Sequence, residues 1–73
     1  MSFTIATPGR VSLKVFDLQG REVRNLMDQD AAAGEFALRW DGIANAGARV
    51  GKGVYFARLV TPGGMTEQKL VLQ

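Results

Sequence analysis

The chain has 73 residues, enough for one domain, and we predict a single module over residues 1–73. It contains no cysteine and no histidine, which excludes disulfides, a structural zinc site and nucleophile–histidine catalysis. The net charge of +2 arises from nine basic and seven acidic residues that are interspersed, and no apolar run approaches the ~20 residues of a membrane span. We therefore predict no cofactor, no nucleic-acid partner and no transmembrane segment.

The first elements alternate apolar and polar residues, which is typical of half-buried β-strands. Residues 2–6 form a short predicted strand with Phe3 and Ile5 on one face, and residues 7–9 form a turn. Residues 10–16 form the second predicted strand. Its inward face carries three apolar side chains: Val11, Leu13 and Val15.

A tight hairpin is predicted next, over residues 17–21. Gly20 suits the left-handed position that follows a type I turn. This register sets Asp17 beside Arg21 and Val15 opposite Val23. The third predicted strand runs from about residue 22 to residue 27, and its broken alternation indicates a bulge between Val23 and Leu26. Residues 28–34 are predicted to form a loop.

Residues 35–41 give the clearest alternation, with Phe36, Leu38 and Trp40 predicted to point inward. The polar, glycine-rich segment 41–53 holds turns and at most one very short strand near Arg49 and Val50. The last two predicted strands, residues 54–61 and 65–72, are joined by the turn at residues 61–64.

The register of the last hairpin can be derived from its charges. A symmetric two-residue turn places Arg58 opposite Glu67, Phe56 opposite Lys69 and Tyr55 opposite Leu70. A turn shifted by one residue would instead set Arg58 against Lys69, and sheets avoid such like-charge pairs. We therefore predict the first register.

The turn spacing predicts an all-β fold, an immunoglobulin-like antiparallel β-sandwich of about seven short strands. Four residues are assigned to its structural motif. Trp40 is predicted at the centre of the core, and Tyr55, two residues before Ala57, takes the position of a corner tyrosine. Gly20 and Gly53 mark the first hairpin and the start of a late strand.

No catalytic set emerges from the sequence. The serines, Ser2 and Ser12, have no base beside them, and the aspartates fall where turns and loops are predicted. Asp41 and Asn45 could bind calcium in the glycine-rich segment, but the segment lacks the alternating acids and final glutamate of an EF-hand loop, and turn formation is the preferred interpretation of both residues. The module is predicted to be no enzyme.

Several apolar residues fall on the face opposite the core. They either lie beneath neighbouring loops or form an exposed stripe that would mark a docking surface, and the sequence leaves both alternatives open. These residues are Phe16, Val54, Phe56, Val60 and Val71.

Several motifs, in this order, resemble the immunoglobulin-like domain of the flagellar hook-capping protein and its relatives at the C-terminus of type IX secretion substrates. They occupy residues 11–23, Ala33-Gly34, Trp40-Asp41-Gly42, residues 53–59 and residues 69–73.

The resemblance implies a C-terminal module that directs the secretion and cell-surface attachment of an exported bacterial protein, such as a hydrolase. Its partners would be the secretion or surface-anchoring machinery and the parent catalytic domain, and its location would be secreted or cell-surface. The recognition residues would be Phe56, Lys69, Val71 and Gln73. The main alternative is a structural module of an extracellular or hook-cap-type assembly, and a carbohydrate-binding module is the third. The oligomeric state is left open.

Overall fold

The computed structural model describes residues 2–73 as two antiparallel β-sheets packed face to face, which confirms the predicted immunoglobulin-like sandwich. The six strands are β1 (Ser2–Ile5), β2 (Gly9–Phe16), β3 (Glu22–Ala31), β4 (Gly34–Ala37), β5 (Gly53–Thr61) and β6 (Gly64–Leu72). The seventh, very short strand expected near Arg49 is only an isolated bridge between Ile43 and Arg49.

The two sheets differ in size. The larger sheet has the strand order β3-β2-β5-β6, and the smaller one contains only β1 and β4. In the smaller sheet Phe3 lies opposite Phe36, and their rings stack with centroids 5.7 Å apart. The smaller sheet therefore covers the core with a pair of aromatic rings.

The core lies between the sheets and is built mainly from β2 and β5. Its buried apolar residues are Ile5, Val11, Leu13, Val15, Ala57 and Leu59. The prediction of a core centred on Trp40 is wrong, because β4 ends at Ala37 and Trp40 lies beyond it, only half-buried. All four residues of β4 pair with the four residues of β1.

Strand β3 differs from its prediction in two ways. It continues to Ala31, where a loop was expected, because β2 begins at Gly9 and pairs with it over that whole length. The expected irregularity is confirmed as two register shifts, which leave Val23 and Leu26 without a direct partner on β2. As a result Val15 lies opposite Arg24, and the predicted Val15–Val23 pair is wrong.

Both hairpin turns form as predicted. Gly20 has a φ of +83°, the left-handed conformation that glycine adopts without steric cost. The last hairpin has the predicted register: Arg58 faces Glu67, Phe56 faces Lys69 and Tyr55 faces Leu70. Gly53 begins β5, opposite Leu72.

Candidate functional site

The face of the larger sheet that points away from the core carries most of the candidate residues. Because side chains alternate along a strand, burial of Leu13 and Leu59 on one face puts their neighbours on the other. We call this second face the outer face. On β2, β5 and β6 it comprises Ser12, Lys14, Phe16, Val54, Phe56, Arg58, Val60, Met65, Glu67, Lys69 and Val71.

An aromatic and charged cluster occupies the middle of the outer face. Phe16 lies opposite Phe56, and the guanidinium carbon of Arg58 is 4.7 Å from the centroid of the Phe16 ring. Nε and Nη2 of Arg58 both donate to Oε2 of Glu67, at 3.2 and 3.1 Å. Arg58 therefore covers an aromatic ring on one side and binds a carboxylate on the other, which orients its planar group.

The apolar residues of this face are covered to different degrees. Phe16, Val54 and Phe56 are half-buried, so the alternative of partial cover applies to them. Val60 is 39% exposed and Val71 is 56% exposed, as expected for a stripe open to solvent. Met65 lies opposite Val60, is 60% exposed and belongs to the same stripe. It was not among the residues predicted from the sequence to form the stripe.

The predicted recognition residues extend from the middle of the outer face towards the C-terminal end of β6. Phe56 is directly opposite Lys69. The next cross-strand pair on the outer face is Val54 opposite Val71. Gln73 follows β6 and is exposed. The structure thus brings three of the four residues onto one surface, and their role in recognition stays a prediction.

Trp40 and Tyr55 join the glycine-rich segment 41–53 to the larger sheet. The Trp40 Nε1–H donates to the carbonyl oxygen of Ile43 at 3.0 Å, and its ring meets the Tyr55 ring edge-on, with centroids 5.2 Å apart. The Tyr55 hydroxyl donates to the Gly51 carbonyl oxygen at 2.7 Å. This bond to the backbone four residues upstream is the corner arrangement predicted for Tyr55.

The two residues considered for calcium already have hydrogen-bonding roles. Asp41 Oδ1 accepts the N–H of Ile43 at 3.0 Å, closing a local turn. Asn45 Oδ1 accepts the N–H of Asn25 at 2.8 Å, and its Nδ2 donates to Glu22 Oε2 at 3.1 Å. Asn45 thereby fixes the segment to β3, a role its sequence position did not reveal.

Asp17 organises the first hairpin. Its Oδ1 accepts the N–H groups of Gln19 and Arg21 at 2.9 and 3.0 Å, and its Oδ2 accepts from Nε of Arg21 at 2.9 Å. The N–H of Arg21, followed by the other donors and the Arg21 charge, lowers the pKa of this carboxyl below its ordinary value of 3.8. The prediction that Asp17 lies beside Arg21 is confirmed.

Residues 2–73 contain no group of three or more acidic residues placed to hold a metal ion. They also contain no helix with the length and hydropathy that a membrane crossing requires.

Comparison with known proteins gives one family. The family model described as the FlgD Ig-like domain matches residues 2–63, which span β1 to β5. No curated protein and no solved structure matches the chain.

Proposed function

The chain belongs to the FlgD Ig-like domain family, and from this premise we propose that it is a non-catalytic scaffold module of an extracellular, flagellar hook-cap-type assembly. The observation that carries the proposal is the family match over residues 2–63. The module would work outside the cell, as one domain of a longer exported protein.

The polar contacts of the fold are consistent with a scaffold role. Arg10 binds Asp28 across β2 and β3 at 2.8 Å, and Arg58 binds Glu67 across β5 and β6 at 3.1 Å. Cross-strand pairs of opposite charge stabilise a sheet, although each exposed pair contributes only ~0.2–1 kcal/mol. Such pairs strengthen the connections between strands, and a scaffold depends on those connections.

A domain exchange tests this proposal. Residues 1–73 would replace the immunoglobulin-like domain of a flagellar hook-capping protein, and the chimera would be expressed in a strain that lacks the native protein. We expect hooks to assemble, as counted by electron microscopy, because the exchanged domains share a family. A hook-capping protein without this domain is the control. A chimera that is exported and folded, yet gives no more hooks than that control, contradicts the proposal.

We also propose secretion sorting and surface attachment as a second function. The observation that favours it is the exposure of Lys69, Val71 and Gln73 on and just after β6, where a partner could read them. The test is Lys69→Glu in an exported parent protein in a type IX-competent host. Exposed substitutions change stability by less than ~0.5 kcal/mol, so the variant should fold.

Surface attachment of that parent should fall if the second function is correct. Arg49→Glu makes the same charge change in the segment 41–53, where Arg49 is exposed and bridges to Ile43 rather than to β6, and serves as the control. Attachment that is equal in the wild type and both variants contradicts recognition through Lys69.

A further inference from the structure

Strand β6 has an unpaired side. It forms one edge of the larger sheet, with β5 on its other side, and no strand of residues 2–73 pairs with the free side. Thr61 and Gly64 close the hairpin around a two-residue turn, so the even-numbered residues of β6 bond to β5. The backbone N–H and C=O groups of Met65, Glu67, Lys69 and Val71 therefore point to the open side, where another strand can pair with them.

The side chains of β6 are complementary to a second copy of the same strand. An antiparallel pairing centred on Gln68 places Glu67 opposite Lys69 of the second copy and Met65 opposite Val71 of the second copy. Moving the centre to Glu67 or to Lys69 would set that residue against itself, and like charges directly opposite destabilise a sheet. The charges thus select the register centred on Gln68.

Each group in this register is available for the contact. Both bonds from Arg58 go to Oε2 of Glu67, which leaves Oε1 to accept from a second cation. Among the described residues Lys69 makes no ion pair, and it is exposed. Met65 and Val71 are 60% and 56% exposed, so pairing them removes apolar surface from water.

We propose that two copies of this chain associate through their β6 edges, joining their four-stranded sheets into one continuous antiparallel sheet. The outer faces of both copies then lie on the same side of the joined sheet. The association rests on one strand from each copy, so the interface is small and the dimer is weak and reversible. The proposed dimer is independent of the hook-cap and sorting functions proposed above.

A cysteine cross-link tests the register, and the absence of native cysteine makes it specific. Gln68 meets its own copy at the two-fold axis, as a non-hydrogen-bonded pair with Cα atoms ~4.5 Å apart, a spacing that suits a disulfide. Gln68→Cys should therefore form a dimer rapidly under mild oxidation. Thr66→Cys is the matched control, because its own copy would lie four residues along, ~13 Å away.

A charge exchange tests the affinity without a covalent bond. Lys69→Glu and Glu67→Lys each place like charges opposite one another twice per dimer, which should weaken self-association about tenfold in sedimentation equilibrium. Mixing the two variants restores opposite charges at both positions, so a heterodimer should form with about wild-type affinity. Arg49→Glu, which changes a charge outside β5 and β6, should dimerise like the wild type.

Either of two results overturns the proposal. One is a chain that stays monomeric at all concentrations, which would leave the β6 edge to a strand of a different protein. The other is cross-linking of Gln68→Cys that is no faster than that of Thr66→Cys.

Discussion

At the scale of single residues, the Asp17 carboxylate stabilises the first hairpin by accepting three hydrogen bonds. It accepts two backbone N–H groups and the Nε–H of Arg21 within a five-residue turn. Because these donors are close in sequence, the Asp17–Arg21 contact could be predicted from the turn type alone. The same carboxylate makes the hairpin sensitive to pH.

The lowered pKa of Asp17 means that its ionised form favours the folded state, so its contribution is present above the ordinary value of 3.8. That contribution is lost as the pH falls through the lowered pKa of the folded state. Asp17→Asn should therefore be less stable than the wild type at neutral pH, and the difference should shrink as the pH falls below 3.8.

Urea denaturation at a series of pH values measures that difference. Asp30→Asn removes one exposed negative charge from β3 and controls for the change in net charge. The contradicting result is a stability difference between the wild type and Asp17→Asn that is the same at neutral pH and well below pH 3.8. That result would mean that the carboxylate charge does not stabilise the turn.

Other residue-scale contacts could not be predicted. Asn45 reaches the N–H of Asn25, twenty positions earlier in the chain, and its local sequence reads as an ordinary turn. Arg58 stacks on Phe16 because β2 and β5 are neighbours, although they are far apart in sequence. Contacts of this kind depend on which strands pair, and alternation within one strand carries no such information.

At the scale of elements, the last hairpin was predictable because two independent constraints agree. The two-residue turn at Pro62-Gly63 allows few registers, and the Arg58–Glu67 pair selects one of them. The first hairpin had the right turn but the wrong strand pairing. Two extra residues in β3 shift its register, and the sequence indicated a bulge without fixing its position.

Strand lengths depend on the partner strand, so the sequence predicted them less well. The alternation of Phe36, Leu38 and Trp40 continues past the end of β4 at Ala37. Strand β3 shows the opposite effect, since the long β2 extends it to Ala31. Alternation therefore predicts which face a side chain occupies better than it predicts where a strand ends.

At the scale of the whole molecule, the two sheets are unequal, and this determines where the core lies. A two-stranded sheet covers only part of a four-stranded one, so the buried residues gather on β2 and β5. The first half of β6 lies beyond this cover, whereas Leu70, further along the strand, packs against the core. In that first half the inward-facing Thr66 and Gln68 are exposed, which agrees with their polar character. The core is consequently small, and each of its side chains carries a large share of the stability.

The buried core and the Trp40 contact should contribute unequally to the stability of the folded chain. Leu13 is fully buried, and truncating a buried leucine to alanine typically costs ~2–5 kcal/mol. Small domains have only ~5–15 kcal/mol in total, so Leu13→Ala should leave the chain close to unfolding. Trp40→Phe keeps a ring against Tyr55 but loses the bond to Ile43, which should cost only ~0.5–1.5 kcal/mol for the hydrogen bond.

Urea denaturation followed by far-ultraviolet circular dichroism measures both variants, since Trp40→Phe removes the one tryptophan and its fluorescence. In the wild type, fluorescence and dichroism should give coincident transitions, as expected for a single cooperative unit. Leu13→Ala should shift the midpoint far more than Trp40→Phe, because the core lies between β2 and β5. Equal shifts of the midpoint in the two variants would instead mean that Trp40 lies at the centre of the core. In the wild type, a fluorescence transition separate from the dichroism transition would mean that the segment 41–53 unfolds independently of the sheets.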